Sequence, residues 1–355
     1  MEQIEQVVRR LKQLYRHYGY TQYRMSKFEP YDLYIRNKSF LVSEDILTFT
    51  DADGRLMALK PDVTLSIVKN ARDGAGLQKV YYIENVYRTS PMTRGFREIM
   101  QTGLECVGEI DLAVMGEVLL LAVRSLETIS PDYLLDISHL GFVAGLLDRA
   151  LVAERHRGRL LTLMGEKNTP SLEACCRELN VNSEAASFLC RLTTLYGPPE
   201  QLLPQLEEMV RNERMALALQ ELRDVCALLP GEHLRLDFSI VNNMDYYNGF
   251  IFRGYLPGLP SGVLSGGRYD NLLRQMGRGG GAIGFAVYMN LLERLADTVE
   301  GYDADVLLLY DDSTPARAVL EEAEACRQGG QSVRTDRAVP EGLSFRAVRK
   351  VGEPC

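Results

Sequence analysis

The sequence predicts an α+β protein in which a mainly antiparallel sheet is interrupted by a helical insertion. Strand-like runs before and after the middle of the chain carry hairpin signals, which are typical of antiparallel sheets. Residues 140–229 have helical periodicity throughout, and residues 305–335 have the pattern of one β-α-β unit. The predicted organisation is a core in two parts (residues 1–139 and 230–299), a helical insertion (140–229) and a short C-terminal α/β segment (300–355).

The composition is that of a globular protein with more than one domain. The chain has 355 residues, of which 46% are hydrophobic and 25% are charged. Its net charge of −8 argues against a broad nucleic-acid-binding surface, and no apolar run is long enough to span a bilayer. Seven cysteines without CxxC spacing and four histidines argue against a zinc site. These features predict a cytoplasmic protein without a metal or cofactor.

The first part of the core begins with a helix and continues with paired strands. Apolar residues at helical spacing place the helix at residues 2–18, and Gly19 ends it. The segment Ile46–Lys60 has two strand-like runs around Asp53-Gly54, which predicts a hairpin. Asp62 then has the position of a helix N-cap. The remaining predicted elements are strands at Lys79–Tyr87 and Glu98–Val107, a helix at Val114–Leu126 and a strand at Tyr133–Ile137.

The second part of the core contains an unusually polar strand connection, Leu236–Arg253 (LDFSIVNNMDYYNGFIFR). Apolar and polar residues alternate in its first half, and Asn248-Gly249 precedes an aromatic, β-branched run, which together predict a hairpin. The acid and the two tyrosines at residues 245–247 are then expected at the hairpin mouth. An alternative interpretation is a turn whose tyrosines only cover the core. The glycines at 277–281 do not fit a dinucleotide-binding loop, because a strand follows them.

Several charged and hydroxyl side chains occur where strands end or pair. Arg97, Gln101 and Glu105 are separated by even numbers of residues, so they project from the same face of a strand. Burying such a face against an apolar core is costly. We therefore predict that it forms the floor of a polar ligand cleft. The alternative is an ordinary solvated sheet face.

Five segments resemble, in the same order, elements of histidyl-tRNA synthetase and its class II relatives. They are Asp51–Thr64 (DADGRLMALKPDVT), Tyr87–Gly108 (YRTSPMTRGFREIMQTGLECVG), Met244–Tyr247 (MDYY), Ser265–Asp270 (SGGRYD) and Ile283–Val287 (IGFAV). The second is similar to motif 2, the third to the family's histidine-specific signature and the fifth to the start of motif 3. The resemblance implies a class II aminoacyl-tRNA synthetase-like antiparallel sheet flanked by helices, with a helical insertion and a short C-terminal β-α-β unit.

The resemblance is incomplete at the positions that contact phosphates in the family. Asn242 and Leu291 stand where the signature and motif 3 carry arginines, and Arg294 lies nearly a turn beyond Leu291. Gly95 aligns with the first arginine of the motif 2 loop, from which Arg94 is displaced by one residue. Ser90 replaces a motif 2 glutamate. Each missing cationic partner is expected to lower an adenylation rate roughly 100- to 1000-fold. The residues after motif 3 are also too few for the family's complete anticodon-binding domain.

The residues that match the family's histidine pocket are largely retained. They are Asp62 (glutamate in the family), Thr64, Arg88, Gln101, Glu105, Tyr247 and Tyr269. A site that keeps amino-acid ligands but loses phosphate chemistry resembles the synthetase-like regulatory subunits of ATP phosphoribosyltransferase. Those proteins have no catalytic activity of their own, so no catalytic residue is predicted here.

The resemblance also implies a biological role and partners. The chain would be required for the first step of histidine biosynthesis and would contribute to feedback inhibition by histidine. Its partner would be the short-form catalytic subunit, in a hetero-octamer with four subunits of each kind, built on homodimers of this chain. L-histidine is the implied ligand, and neither tRNA nor a membrane is expected. Two alternatives are a divergent histidyl-tRNA synthetase and a stand-alone histidine sensor.

Overall fold

The computed structural model describes residues 2–41, 46–72, 74, 76–89, 95–241, 246–296 and 302–353. The chain forms two compact units, residues 1–295 and residues 296–355. Within the described ranges, no helix has both the length and the apolar character needed to cross a membrane.

Thirteen α-helices and one 3-10 helix (Lys38–Phe40) are present in the described parts of the chain, and the α-helices are labelled in chain order. They are α1 (Glu2–His17), α2 (Tyr31–Ile35), α3 (Thr64–Asn70), α4 (Leu112–Ile129), α5 (Leu140–Arg149), α6 (Glu154–Gly165), α7 (Thr169–Glu178), α8 (Ser183–Thr194), α9 (Pro199–Glu207), α10 (Glu213–Leu228), α11 (Asp270–Gln275), α12 (Met289–Ala296) and α13 (Ala316–Gln328).

The same ranges contain fifteen strands. They are β1 (Thr21–Gln22), β2 (Phe28–Pro30), β3 (Thr48–Thr50), β4 (Leu56–Leu59), β5 (Gln78–Thr89), β6 (Phe96–Gly108), β7 (Leu134–His139), β8 (Tyr196–Gly197), β9 (Leu234–Asp237), β10 (Phe250–Tyr255), β11 (Leu264–Arg268), β12 (Gly281–Tyr288), β13 (Ala304–Leu309), β14 (Val333–Asp336) and β15 (Phe345–Lys350).

The larger unit is built on a nine-stranded sheet with the order β1-β5-β6-β12-β11-β10-β7-β9-β8. Most neighbouring strands are antiparallel, as predicted, while β1–β5 and β7–β9 are parallel pairs, so the sheet is mixed. The predicted α+β fold with a mainly antiparallel sheet is confirmed. The long hairpin of β5 and β6 supplies much of the surface on which the candidate site lies.

The predicted hairpin at Asn248-Gly249 is wrong. Strands β9 and β10 do not pair with each other, because β7 lies between them: Ile137 is opposite both Leu236 and Phe252. The backbone of the Asn-Gly pair bonds elsewhere. The Asn248 N–H donates to the Arg268 carbonyl in β11, and the Gly249 carbonyl accepts from Leu140 at the start of α5. A local turn signal could not reveal that a strand from much earlier in the chain would be inserted.

The other predicted hairpin is confirmed. Strands β3 and β4 pair antiparallel, and β2 pairs with the other edge of β4. In the turn, the Asp51 carboxylate accepts from the backbone N–H groups of Asp53 and Arg55 at 2.9 and 2.8 Å, and Gly54 adopts a φ of +77°. Glycine adopts this conformation without steric cost. The strand β4 then leads directly to Asp62 and the start of α3.

Residues 140–228 form the six helices α5 to α10, with the short strand β8 among them. Asparagine side chains accept from backbone N–H groups at the starts of α7, α8 and α10, which satisfies donors that have no partner within the helix. Apolar residues of these helices, including Leu160, Leu189 and Leu222, belong to the same buried cluster as Ile137 and Phe252 of the sheet. One apolar core therefore joins the helices to the sheet.

The smaller unit is a three-stranded parallel sheet with the order β14-β13-β15. Helix α13 connects β13 to β14, which confirms the predicted β-α-β unit. The strand β15 was not predicted. Its half-buried positions include Arg349 and its exposed ones include Val348, so its hydrophobicity does not alternate as its burial does.

Candidate functional site

A polar pocket lies on one face of the nine-stranded sheet, over β5, β6, β12 and β11. All seven residues that the sequence singled out line it: Asp62, Thr64, Arg88, Gln101, Glu105, Tyr247 and Tyr269. The other lining residues are Tyr82, Tyr246, Ser265, Gly284, Phe285, Ala286 and Tyr288. Residues that are far apart in sequence thus meet at one small site.

The strand register explains why these residues converge. Glu105 lies opposite Gly284, which lies opposite Gly267, and Gln101 lies opposite Tyr288. Residues directly opposite one another in a sheet project from the same face. The even spacing of Gln101 and Glu105 therefore correctly predicted a shared polar face. Arg97, which was predicted to belong to it, is exposed near the outer end of β6 and does not line the pocket.

Glu105 is the buried acid at the centre of the pocket. Its side-chain oxygens accept hydrogen bonds from the Thr64 hydroxyl at 2.8 Å and from the Tyr269 hydroxyl at 2.6 Å. Burial raises the pKa of the Glu105 carboxyl to about 8; the hydrogen bonds from Tyr269 and Thr64 oppose this rise, and the nearby Asp62 carboxylate adds to it. This carboxyl is therefore held by two hydrogen bonds and is mostly protonated at neutral pH, and a cationic partner beside it would favour its ionised form.

Asp62 and Arg88 form a second polar pair in the pocket wall. The Asp62 carboxylate accepts from the backbone N–H of Leu65 at 2.9 Å, so it bonds to the first turn of α3 as a cap would, although the N-cap residue is Val63, one position later than predicted. Arg88 donates to the Pro61 carbonyl at 2.8 Å and lies 3.9 Å from Asp62. Burial raises the pKa of Asp62, and the Arg88 charge offsets part of this rise. The pocket thus contains one cation and two acids among its lining residues.

The remaining polar groups give the pocket directional donors. Gln101 is 3% exposed, and its side-chain Nε2 has no hydrogen-bond partner among the described residues. A buried amide donor without a partner is costly, so this atom favours a bound acceptor or a water molecule. Tyr246 packs against Tyr247 and Tyr269, with ring centroids 4.5 and 5.6 Å apart. These rings form an aromatic wall beside the acids.

Glycines make room for the acid and the aromatic wall. A Cβ at Gly284 would overlap the Glu105 carboxylate and the Leu104 carbonyl. A Cβ at Gly267 would lie 2.6 Å from both the Tyr247 ring and the Phe250 carbonyl oxygen. The Gly-Gly and Gly-Phe pairs of the sequence motifs are therefore required by close packing under the pocket, rather than by turns.

The raised pKa of Glu105 predicts a pH-dependent stability. An unfolded glutamate ionises near pH 4.5, whereas the folded one keeps its proton until about pH 8. The contribution of protonated Glu105 to the free energy of unfolding is therefore fully present below pH 4.5 and is lost as the pH rises through 8. Since one pKa unit corresponds to about 1.4 kcal/mol, we expect Glu105→Gln to raise the free energy of unfolding by up to a few kcal/mol at pH 8 and little at pH 5.

Denaturant titrations of the wild type and of Glu105→Gln at pH 5 and pH 8 measure this difference. Equal differences at both pH values would contradict the prediction.

Two of the positions that would contact phosphates in a synthetase, 95 and 291, are described by the structure, and neither supplies a cation. Leu291, at the place of the motif 3 arginine, is half-buried and packs against the apolar core. Gly95 lies just before β6. Asn242, Ser90 and Arg94 lie outside the described residues. Among the described lining residues, Arg88 is the one positive charge.

Several lining residues were not singled out as ligands from sequence. Tyr82 and Arg88 are an even number of residues apart on β5, and so are Gly284, Ala286 and Tyr288 on β12. Strand alternation therefore predicts that each set projects from one face of the sheet. Ser265 and Tyr246 fall inside recognised motifs. Phe285 also falls inside a recognised motif, although strand alternation places it on the face opposite to that of Gly284. No group of three or more potential metal ligands occurs in the part of the chain that the structure describes.

A mixed, mainly antiparallel sheet with a polar pocket on one face and a helical insertion defines a class II aminoacyl-tRNA synthetase-like protein. The family model for histidyl-tRNA synthetase matches residues 1–292, and the chain belongs to this family.

One relative by sequence and two solved structures show which members of the family this chain is similar to. The ATP phosphoribosyltransferase regulatory subunit of Clostridium kluyveri is 29% identical over 340 residues, which cover 92% of this chain and 87% of that protein. The solved structure of an ATP phosphoribosyltransferase regulatory subunit/histidyl-tRNA synthetase from Bacillus halodurans C is similar with a TM-score of 0.77 and 24% identity, covering 98% and 94% of the two chains. A chain of the ATP phosphoribosyl transferase complex from Thermotoga maritima has a TM-score of 0.64 and 19% identity, covering 81% and 97%. The two structural likenesses establish the fold.

Proposed function

We propose that this chain is a regulatory subunit of ATP phosphoribosyltransferase, acts in the first step of histidine biosynthesis and contributes to feedback inhibition by histidine. The observation that carries the proposal is the pocket. It brings together the seven residues that match the family's histidine pocket, with aspartate at position 62 where the family has glutamate, whereas Leu291 packs against the core where a synthetase needs a cation. The names of the curated relatives support the same role.

The chain is proposed to lack catalytic activity of its own. Amino-acid adenylation develops negative charge on phosphates, and enzymes stabilise that charge with preorganised cations. Arg88 could bind a carboxylate or one phosphate, but Leu291 has no charge with which to stabilise a second phosphate. The pocket is therefore suited to binding an amino acid without activating it.

Regulation by a bound amino acid requires a difference in affinity between two states. A ligand shifts an equilibrium only by its differential binding to the two states, and linkage makes the effect reciprocal. We propose that L-histidine binds this pocket, with its cationic groups at Glu105 and Asp62 and its carboxylate at Arg88 or Gln101. The inhibited assembly would then be the one that holds histidine more tightly.

The proposed partners follow from the same role. The short-form catalytic subunit is the proposed partner, in a hetero-octamer of four subunits of each kind that contains homodimers of this chain. Residues 140–229 would form an inserted domain in each subunit. A cytoplasmic location is proposed from the six described cysteines, all of which are free thiols. No cofactor is proposed.

The test combines two assays on the full chain. Pyrophosphate exchange with histidine and ATP reports adenylation, and a phosphoribosyltransferase assay with a short-form catalytic subunit reports stimulation. We expect no exchange and an increased transferase rate that falls when histidine is added. Exchange without stimulation would identify a synthetase instead. Histidine binding with neither activity would indicate a stand-alone sensor.

A further inference from the structure

A second cleft lies beside the amino-acid pocket and shares one wall with it. Its volume is about 290 Å³. Helix α10 contributes Arg214, and the short helix α11 contributes Asn271 and Arg274. The other lining residues are Leu140, Tyr247 and Asn248. Tyr247 also lines the amino-acid pocket, so the two cavities are neighbours that share this residue.

The cleft carries excess positive charge. Arg274 is exposed, donates to the Asn271 side-chain oxygen and forms no ion pair with a described residue. Arg214 lies 2.7 Å from Asp148, but Asp148 also pairs with Arg157 at 2.7 Å. Because Arg157 has a second acidic partner in Glu154 at 3.2 Å, Asp148 offsets much of the Arg214 charge, and the unpaired charge of the cleft is that of Arg274. This is a local cationic site on a chain whose net charge is −8.

The donors have the geometry that suits a tetrahedral oxyanion. Two guanidinium groups from different helices approach one space, and each presents a planar fork of N–H donors. Because the oxygen of Asn271 is used by Arg274, its amide N–H groups remain available as further donors. A carboxylate has two oxygens, whereas a phosphate can accept from all of these donors at once. The cleft volume leaves room for an organic group attached to the phosphate.

We propose that this cleft binds a phosphorylated small molecule, with its phosphoryl group between Arg214 and Arg274. In the amino-acid pocket, the proposed partner of Arg88 is the carboxylate of the amino acid, so the phosphoryl site is assigned to the separate cleft. The two arginines and the limited volume fit a single phosphoryl group better than a nucleic-acid backbone, which needs an extended basic track.

Calorimetric titration of the full chain tests this site with inorganic phosphate, ribose 5-phosphate and acetate. We expect saturable binding of both phosphates and at least tenfold weaker binding of acetate. Equal affinities of the two phosphates would locate recognition in the phosphoryl group alone, whereas tighter binding of the ester would add contacts to the sugar; both results support the site. Absence of saturable phosphate binding, or equal binding of acetate, would overturn it.

Three variants identify the residues responsible. Arg274→Gln should weaken phosphate binding at least tenfold, and Arg274→Lys should weaken it less because the charge remains. Arg317→Gln is the control, since Arg317 is an 89% exposed surface arginine of α13 that pairs with Glu321. Unchanged unfolding midpoints without phosphate show that the variants fold. If Arg274→Gln and Arg317→Gln bind phosphate equally, the proposal is wrong. Variant-sensitive binding of a short RNA, without phosphate binding, would likewise reject a small-molecule site.

Discussion

Gly284→Ala is expected to collapse the pocket and to lower the free energy of unfolding by about 3 kcal/mol. The new methyl group would overlap the Glu105 carboxylate and the Leu104 carbonyl of the neighbouring strand. The carboxylate is held by Thr64 and Tyr269, and the carbonyl belongs to the paired backbone of β6 and β12, so neither can move freely. Overpacking in such a rigid place strains both the sheet and the site.

Denaturant unfolding and histidine titration measure the two effects of Gly284→Ala. The matched control is Gly158→Ala in α6, because a Cβ at Gly158 meets nothing within 4 Å. Alanine has the higher helix propensity, so this control should be neutral or stabilising by about 0.5–1 kcal/mol. A Gly284→Ala protein with wild-type stability and wild-type histidine affinity would show that the carboxylate does not occupy the described position.

Replacing Glu105 with glutamine is expected to weaken histidine binding at least 100-fold, or by about 3 kcal/mol. Glutamine keeps the size of the side chain and can still bond to Thr64 and Tyr269, but it cannot ionise. A bound cationic group lowers the pKa of the Glu105 carboxyl, so the wild-type side chain can release its proton and pair with the ligand as a carboxylate. Loss of one member of a buried, hydrogen-bonded charge pair costs about 2–5 kcal/mol in binding. Glu105 is 3% exposed, so water compensates little for the lost pair.

Calorimetry with L-histidine at constant pH provides the measurement for Glu105→Gln. Glu98→Gln is the control on the same strand, because Glu98 is exposed and bonds only to Asn85 and Tyr87. Tyr247→Phe tests the aromatic wall and should weaken binding more modestly. If Glu105→Gln and Tyr247→Phe both bind histidine like the wild type, the effector site lies elsewhere in the assembly. The phosphoribosyltransferase rate of the catalytic subunit is measured in parallel. A folded variant that no longer binds histidine should still increase this rate.

Much of the candidate site was predictable because strand alternation and motif order are local properties. The even spacing of Gln101 and Glu105 placed both on one face of β6, and each lines the pocket. The same rule wrongly placed Arg97 in the pocket. Even spacing determines the face of the strand from which a side chain projects, but not how far along the strand the pocket extends. Asp62 was predicted as the helix N-cap; its carboxylate does bond to the Leu65 N–H of the first turn, but the N-cap residue is Val63. Its position beside Arg88 depends on the packing of separate segments.

The sequence by itself determined the α+β class, the β5–β6 and β3–β4 hairpins, the helices between residues 140 and 228 and the family resemblance. Periodicity, caps and Asp-Gly turns act over a few residues, so one segment is enough to reveal them. Only the tertiary structure decided that β7 separates β9 from β10 and that Gly284 lies beneath the Glu105 carboxylate. These outcomes depend on contacts between distant segments, where burial of both sheet faces and close backbone approach outweigh a local turn preference.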